Sequence, residues 1–175
     1  ETHVHADFVS GATELKTRLG NKPVIVCSAM GGEVNIPKYA DKTFKTGDSV
    51  RVGKIRLEAL HTPGHTPEHL SWLLFDEGKS TTTPCGIFSG DFLFVGYIGR
   101  PDLVGNQQEL SHALYRSVFE VLPKLPSYLE IYPSHGAGSL CGKAIDGRPS
   151  STLGYEMDYS PSLKPMPEAE WTAQL

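Results

Sequence analysis

Glu1-Thr2-His3-Val4-His5-Ala6-Asp7-Phe8 opens the chain, and its reading decides how the later motifs are assembled into a fold. In extended backbone successive side chains alternate between faces, which places His3, His5 and Asp7 on one side and Val4, Ala6 and Phe8 on the other. Two imidazoles and a carboxylate so close together suit a borderline divalent ion such as zinc or iron, whereas calcium would demand a cluster of oxygens. Read alone, the same stretch is a polar loop or a helix start capped by Asp7.

Working outward, Val9, Ala12, Leu15 and Leu19 lie at helical spacing, with Ser10 as the cap and Gly20-Asn21 as the stop. Pro23–Cys27 is a brief apolar run of buried-strand type, and the stretch from Gly31-Gly32 to Tyr39 reads as irregular. Val50, Val52, Ile55, Leu57 and Ala59 alternate around Gly53-Lys54, the pattern of a hairpin that ends at His61-Thr62-Pro63-Gly64-His65. Further strands are expected over Leu70–Phe75, over Gly86–Ser89 running into Gly90-Asp91, and over Leu129–Tyr132 stopping at Pro133-Ser134-His135. Leu110, Leu114, Val118 and Val121 predict a packing helix over Glu109–Leu122, with Asn106 near its start and Pro123 at its end. Three expected strands therefore finish in a residue that can bind metal.

His65 sits in Thr62-Pro63-Gly64-His65-Thr66-Pro67, where the prolines stiffen the turn and Gly64 lets it bend. Taken alone it is a loop histidine donating to a carbonyl, and His61 and His69 lack its framing and read as surface or supporting residues. Asp91, beside Phe92-Leu93-Phe94-Val95, needs a cation, because a buried carboxylate is paired or metal-bound. Arg100 in Gly99-Arg100-Pro101-Asp102 offers one, but that loop also reads as a substrate-facing turn, and Arg100 and Asp102 can simply lock each other. His3, His65 and Asp91 together make a two-histidine, one-carboxylate set, an arrangement that leaves open positions on non-haem ferrous iron. Spacing across separate loops does not single this set out. His135 is a further ligand or a group that orients one. Cys141 reads as a buried inert thiol first and a reactive one second, with Lys143 near enough in sequence to lower its pKa.

The 175 residues are 39% hydrophobic and 21% charged, with 18 Gly and 13 Pro, which fits one α/β or α+β domain with a sizeable core. A net charge of −4 with scattered signs provides no basic stripe, so a small molecule is the expected partner and nucleic acid is not. No apolar run is long enough for a membrane span. The 3 cysteines, Cys27, Cys85 and Cys141, have no disulfide or Cys-x-x-Cys spacing and point to reduced thiols in a cytoplasmic setting. From Tyr159 onward, Ser160-Pro161 and Lys164-Pro165-Met166-Pro167 suggest an extended linker or tail.

Thr2-His3-Val4-His5-Ala6-Asp7-Phe8, Thr62-Pro63-Gly64-His65-Thr66, Ser89-Gly90-Asp91-Phe92-Leu93-Phe94-Val95-Gly96, Gly99-Arg100-Pro101-Asp102-Leu103 and the stretch from Tyr132-Pro133-Ser134-His135 to Cys141-Gly142-Lys143 together resemble the metallo-β-lactamase superfamily. The chain is most similar to its persulfide dioxygenase branch, especially bacterial members fused to rhodanese domains. The resemblance runs in order over nearly the whole chain. It implies an αββα sandwich occupying residues 1–158, with 159–175 as the Pro-rich tail, and with the metal at strand-end loops along one edge. It also implies strands before the histidine loop, so either the sequence is a fragment or those strands come from elsewhere, and a sheet edge left uncovered by them would be expected to aggregate or pair.

The resemblance further implies one iron(II) per chain held by His3, His65 and Asp91, with zinc as the alternative. His5, Asp7 and His135 would line the site or serve a second metal, and Arg100, Cys141 and His135 are the candidates for catalytic roles. The implied reaction takes a low-molecular-weight thiol persulfide with oxygen and water to sulfite and free thiol. A rhodanese domain, fused or separate, is the implied partner, and a homodimer is among the assemblies allowed. One departure is Phe8, where the superfamily's dinuclear hydrolases carry a histidine; phenylalanine cannot coordinate a metal, which lowers the standing of a glyoxalase II-like zinc thioester hydrolase. A module that only binds a thiol compound or holds a partner domain is the non-enzymatic alternative.

Overall fold

Helical spacing at the start of the chain produces a helix, but not a buried one. In the computed structural model, which describes residues 1–5 and 7–175, α1 spans Ala12–Arg18 and buries none of its residues. Ser10 Oγ accepts from the Ala12 amide, two residues on, and the helix N-cap is Gly11, so the expected cap holds the turn before the helix. The short strand β1, Val26–Ser28, pairs in parallel with β2, Lys42–Phe44. The expected strand over Pro23–Cys27 thus begins later and runs one residue further.

The hairpin forms as its alternation demands, β3 over Ser49–Val52 and β4 over Ile55–His61, with Gly53 at φ +61° in the turn. β5 (Leu70–Asp76) and β6 (Gly86–Gly90) follow, then α2 (Gln107–Arg116), β7 (Glu130–Pro133), β8 (Ser151–Thr152), α3 (Leu153–Tyr159) and α4 (Glu168–Thr172). The six-stranded sheet has the order β3-β4-β5-β6-β7-β8. Pairing is antiparallel from β3 to β6, parallel between β6 and β7, and antiparallel at β8. Consequently β4, β6 and β7 point the same way, and their C-terminal ends lie along one edge of the sheet. Topology, not sequence proximity, gathers the motifs at 61–65, 90–91 and 133–135.

β5 is buried on both faces. Leu73 and Phe75 join Ile87, Leu114, Val118, Ile131 and Leu153 in the main core, while Leu70 and Trp72 pack on the other face with Ala59, Val26 and Phe44. α2 begins at Asn106, whose side chain accepts from the Gln108 and Glu109 amides, a cap worth about 1 kcal/mol. The helix leaves regular α geometry at Ser117, passing through a π-type turn to Val121 and a 3₁₀ turn at Leu122–Lys124. Pro123 therefore falls inside a tightened continuation and does not end the helix directly. Ser117 Oγ donates to Pro63 O over 2.8 Å, tying this irregularity to the His65 turn. Gly64, at φ +145°, lies so close to α2 that a Cβ there would sit 2.4 Å from Leu114 Cβ.

Residues 159–175 do not extend away as a linker. Ser160-Pro161 starts a 3₁₀ turn, and Leu163 and Trp171 enter the main core. Trp171 meets Tyr115 and Phe119 edge-on and donates from Nε1 to Ser162 O. Proline density here marks turns between short packed elements, because one large aromatic buries enough surface to hold them.

Candidate metal centre

His3 is on the N-terminal loop, His65 on the turn after β4, and Asp91 directly after β6; all three are buried, and their ligand atoms lie within 4.8 Å of one another. Asp91 Oδ2 is 3.4 Å from His65 Nε2 and 3.9 Å from His3 Nε2. His3 Nε2 and both Asp91 carboxylate oxygens have no hydrogen-bond partner among the described residues. Buried polar atoms left this way carry a desolvation penalty of about 1–3 kcal/mol each, more for a charge, so a cation between them is what the donor set fits. The far side of each imidazole is occupied: His65 Nδ1 donates to Arg100 O at 2.9 Å, and His3 Nδ1 pairs with Thr2 Oγ1 at 3.0 Å. A carbonyl can only accept, so His65 carries its proton on Nδ1 and turns a lone pair at Nε2 toward Asp91. Burial is the main cause holding both His3 and His65 below the usual imidazole range, and Asp91 opposes it at His65.

The loop geometry at the start of the chain is irregular, so His3, His5 and Asp7 do not share one strand face. Ala6, expected on the opposite face, lies outside the described residues. Val4 is 45% and Phe8 49% exposed, which corrects the expectation that they pack as the apolar side of the motif. His5 instead stacks on Phe8 at 4.0 Å between ring centroids, contacts the His3 ring at 4.2 Å, and sits near Glu1. That His5 contact is the main cause drawing the Glu1 carboxyl down to about 2.

Asp7 and His135 meet at a second position: His135 Nε2 is 3.4 Å from Asp7 Oδ2 and 3.2 Å from Asp91 Oδ2. Cys141 completes this group, its Sγ within 4.8 Å of the Asp7 and His135 ligand atoms. Burial first, and Asp91 second, push the Cys141 thiol up to about 11. Lys143 does not activate it, because its Nζ is engaged by the carbonyls of Gln174 and Leu175. Arg100 does not supply the cation for Asp91 either. Its guanidinium grips Asp102 bidentately at 2.6 and 2.5 Å, while its backbone does the positioning, with O on His65 and N donating to Cys141 O.

Two histidines set aside on sequence have definite places. His61 is half-buried, with Nε2 2.9 Å from Pro67 O. His69 is fully buried, stacks on His3 at 5.0 Å, and accepts the Asp91 amide at Nε2 over 3.1 Å. Its sequence signal was faint: only Leu70 and the strand after it hinted that position 69 starts a buried segment. Two cavities flank the loop of His5, one of about 530 Å³ lined by Phe8, Val26, Leu57, Trp72 and Phe88 among others, and one of about 310 Å³ lined by Ile36, Tyr39, Glu68 and Val104 among others.

No protein-family model matches the chain. Among relatives, it is 34% identical over 145 residues to the mitochondrial persulfide dioxygenase ETHE1 of Mus musculus, covering 83% of this chain and 51% of that protein. It is 35% identical over 135 residues to a hydroxyacylglutathione hydrolase of Polaromonas, covering 77% and 46%. Among solved structures, a metallo-β-lactamase from Staphylococcus aureus superposes with a TM-score of 0.87 at 40% identity, covering all of this chain and 50% of that one. The chain spans about half the length of the curated relatives it matches. No described helix is long and apolar enough to cross a membrane. The strand-end edge, the buried histidine and aspartate donors and these likenesses agree: the chain belongs to the metallo-β-lactamase superfamily and is similar to its persulfide dioxygenases over the half of those proteins that it spans.

Proposed function

We propose that His3, His65 and Asp91 hold one iron(II) ion and that the protein containing this chain is a persulfide dioxygenase. The observation that carries the reading is the buried, hydrogen-bond-free set of His3 Nε2 and the Asp91 carboxylate facing His65 Nε2, the two-histidine, one-carboxylate pattern that suits ferrous oxygenases. Bound there, iron would supply open positions for oxygen and sulfur and the redox chemistry between them. The overall change balances without another reductant: thiol persulfide, oxygen and water give thiol and sulfite with two protons. The terminal sulfur loses four electrons, and oxygen gains them.

The chain's own residues have supporting tasks. Arg100 O fixes the His65 ring, and the buried surroundings exclude bulk water from the donor set. Phe8 stacked on His5 places an aromatic ring beside the site where a donor would favour a second ion. His135 Nε2, 3.2 Å from Asp91 and 3.4 Å from Asp7, is positioned to hold or pass a proton between the two carboxylates. The test is anaerobic loading of the intact protein with ferrous iron, followed by oxygen uptake and sulfite release with glutathione persulfide. Uptake abolished by His3→Ala supports the proposal, and an iron-replete, folded protein that consumes no oxygen sinks it.

One observation favours a second reading, a zinc thioester hydrolase of the glyoxalase II type. Asp7, His135 and Cys141 lie close enough to hold a second ion, and a hydroxyacylglutathione hydrolase is among the relatives. Two zinc ions per chain, with hydrolysis of an acyl-thiol and no oxygen uptake, would select it.

A further inference from the structure

His69 is absent from the ligand set, yet it touches two of its members. Its ring lies nearly parallel to His3, at 5.0 Å and 29°, and its Nε2 is 3.1 Å from the amide nitrogen of Asp91. On the other side, His69 Nδ1 is 2.9 Å from Thr62 Oγ1, which is 2.8 Å from Ser71 Oγ. All of these groups are buried.

The direction of the two bonds made by His69 follows from one fact. A backbone amide can only donate, so His69 Nε2 is the acceptor from Asp91. A neutral imidazole has one proton, which must then sit on Nδ1 and be given to Thr62 Oγ1. The Thr62 hydroxyl, accepting from His69, shares a further hydrogen bond with Ser71 Oγ. With the opposite tautomer, two N–H groups would face each other at the strand end.

The strand end offers few other holds on Asp91. Its carboxylate has no hydrogen-bond partner among the described residues, so no such bond to the side chain fixes where it points. Gly90, at φ +55°, brings the backbone so near the ring that a Cβ there would lie 2.5 Å from His69 Nε2. The pairing of β6 with β7 shifts register at this point, so the sheet ladder is irregular where Asp91 leaves it.

We infer that His69, held as the Nδ1–H tautomer by Thr62 and Ser71, is a positioning residue that orients Asp91 through its backbone and His3 through ring contact, and so sets the metal affinity of the site. The inference rests on His3, His65 and Asp91 being the metal ligands, not on the identity of the metal or the reaction. Residues acting one bond removed from a metal commonly change its affinity by about 10–100-fold.

The test uses the intact protein and cobalt(II) as the spectroscopic probe. His69→Leu, which keeps bulk but removes the acceptor, is expected to weaken cobalt binding about 10–100-fold. His69→Gln, whose side-chain oxygen can accept the Asp91 amide, is expected to recover most of that loss, and Thr62→Val, which removes the partner of Nδ1–H, to fall between. Nitrogen-15 imidazole spectra of the metal-free protein should place the His69 proton on Nδ1. A proton on Nε2, or unchanged cobalt affinity in both His69→Leu and Thr62→Val, overturns the inference. Should His69→Leu fail to fold, Thr62→Val and the spectrum decide alone. His3→Ala separates the two levels: if it binds cobalt as tightly as the parent, the ligand assignment itself falls. If it loses cobalt while His69→Leu and Thr62→Val keep it, only the positioning role falls.

Discussion

The two donor groups at the sheet edge have similar membership and opposite physics. His3, His65 and Asp91 are buried and their outer ring nitrogens are already engaged. Asp7 and His135 are partly solvent-accessible, and their third member is a thiol raised to about 11. Removing water makes an uncompensated carboxylate demand a cation; in the second group the carboxylate of Asp7 reaches solvent, and His135 Nε2 is the atom that is buried without a hydrogen-bond partner. On the proposed reading, ligand types within reach are not enough by themselves; what separates the two groups is whether their carboxylate has water to meet its charge.

The strongest way to break this contrast is Asp91→Asn, which leaves volume unchanged and removes the charge. Metal retained after desalting, measured by elemental analysis, should drop by more than about 100-fold in affinity, beyond the range of an indirect effect. Gly90→Ala should destabilise the fold by about 1–3 kcal/mol in urea titration, from a positive φ and a Cβ 2.5 Å from His69. An unchanged midpoint would mean the strand end is looser than described.

Acid offers a subtler probe. Burial keeps His3, His65 and His69 below the ordinary 6.5 in the folded protein. As pH falls through about 6.5, unfolded imidazoles take up protons while these do not, so the unfolded state binds more protons and the metal-free fold loses stability. Its melting temperature should fall by several degrees between about pH 7 and pH 5; a constant or rising value would place these rings in contact with water. The smallest expected effect sharpens the comparison from the other side. Phe8→His adds a donor beside Asp7, and zinc bound per chain, counted by elemental analysis, should rise above that of the parent without weakening the first ion.

Much of the site was legible because each strand ends in a residue of distinct chemistry. The alternation around Gly53-Lys54 and the apolar runs at Leu70 and Gly86 located β3 to β6, and β4, β6 and β7 then deliver His65, Asp91 and His135 to one edge. The rest was hidden for physical reasons. β2 is three residues long, with two of them exposed, so its pairing with β1 leaves no periodic trace. Leu15 and Leu19 have helical spacing yet lie exposed, since spacing says which residues share a face and not what covers it. The tail around Trp171 reads as a linker by proline content, and only a single aromatic betrays its docking. Arg100 looked like a charge for Asp91 or substrate, but Asp102, two residues away, claims its guanidinium. His69 needed three dimensions, because Asp91, whose amide it accepts, lies 22 residues away in sequence; Cys141 was a candidate from the sequence, but its place beside Asp7 was not legible there.

The central claim is that one fully buried set, and not its partly exposed neighbour, holds the metal. Anaerobic titration of the intact protein with ferrous iron, with bound iron counted per chain, tests it most directly. The account predicts one iron per chain, lost in His3→Ala and kept in Asp7→Asn; two ions per chain, or equal loss in both variants, would contradict it.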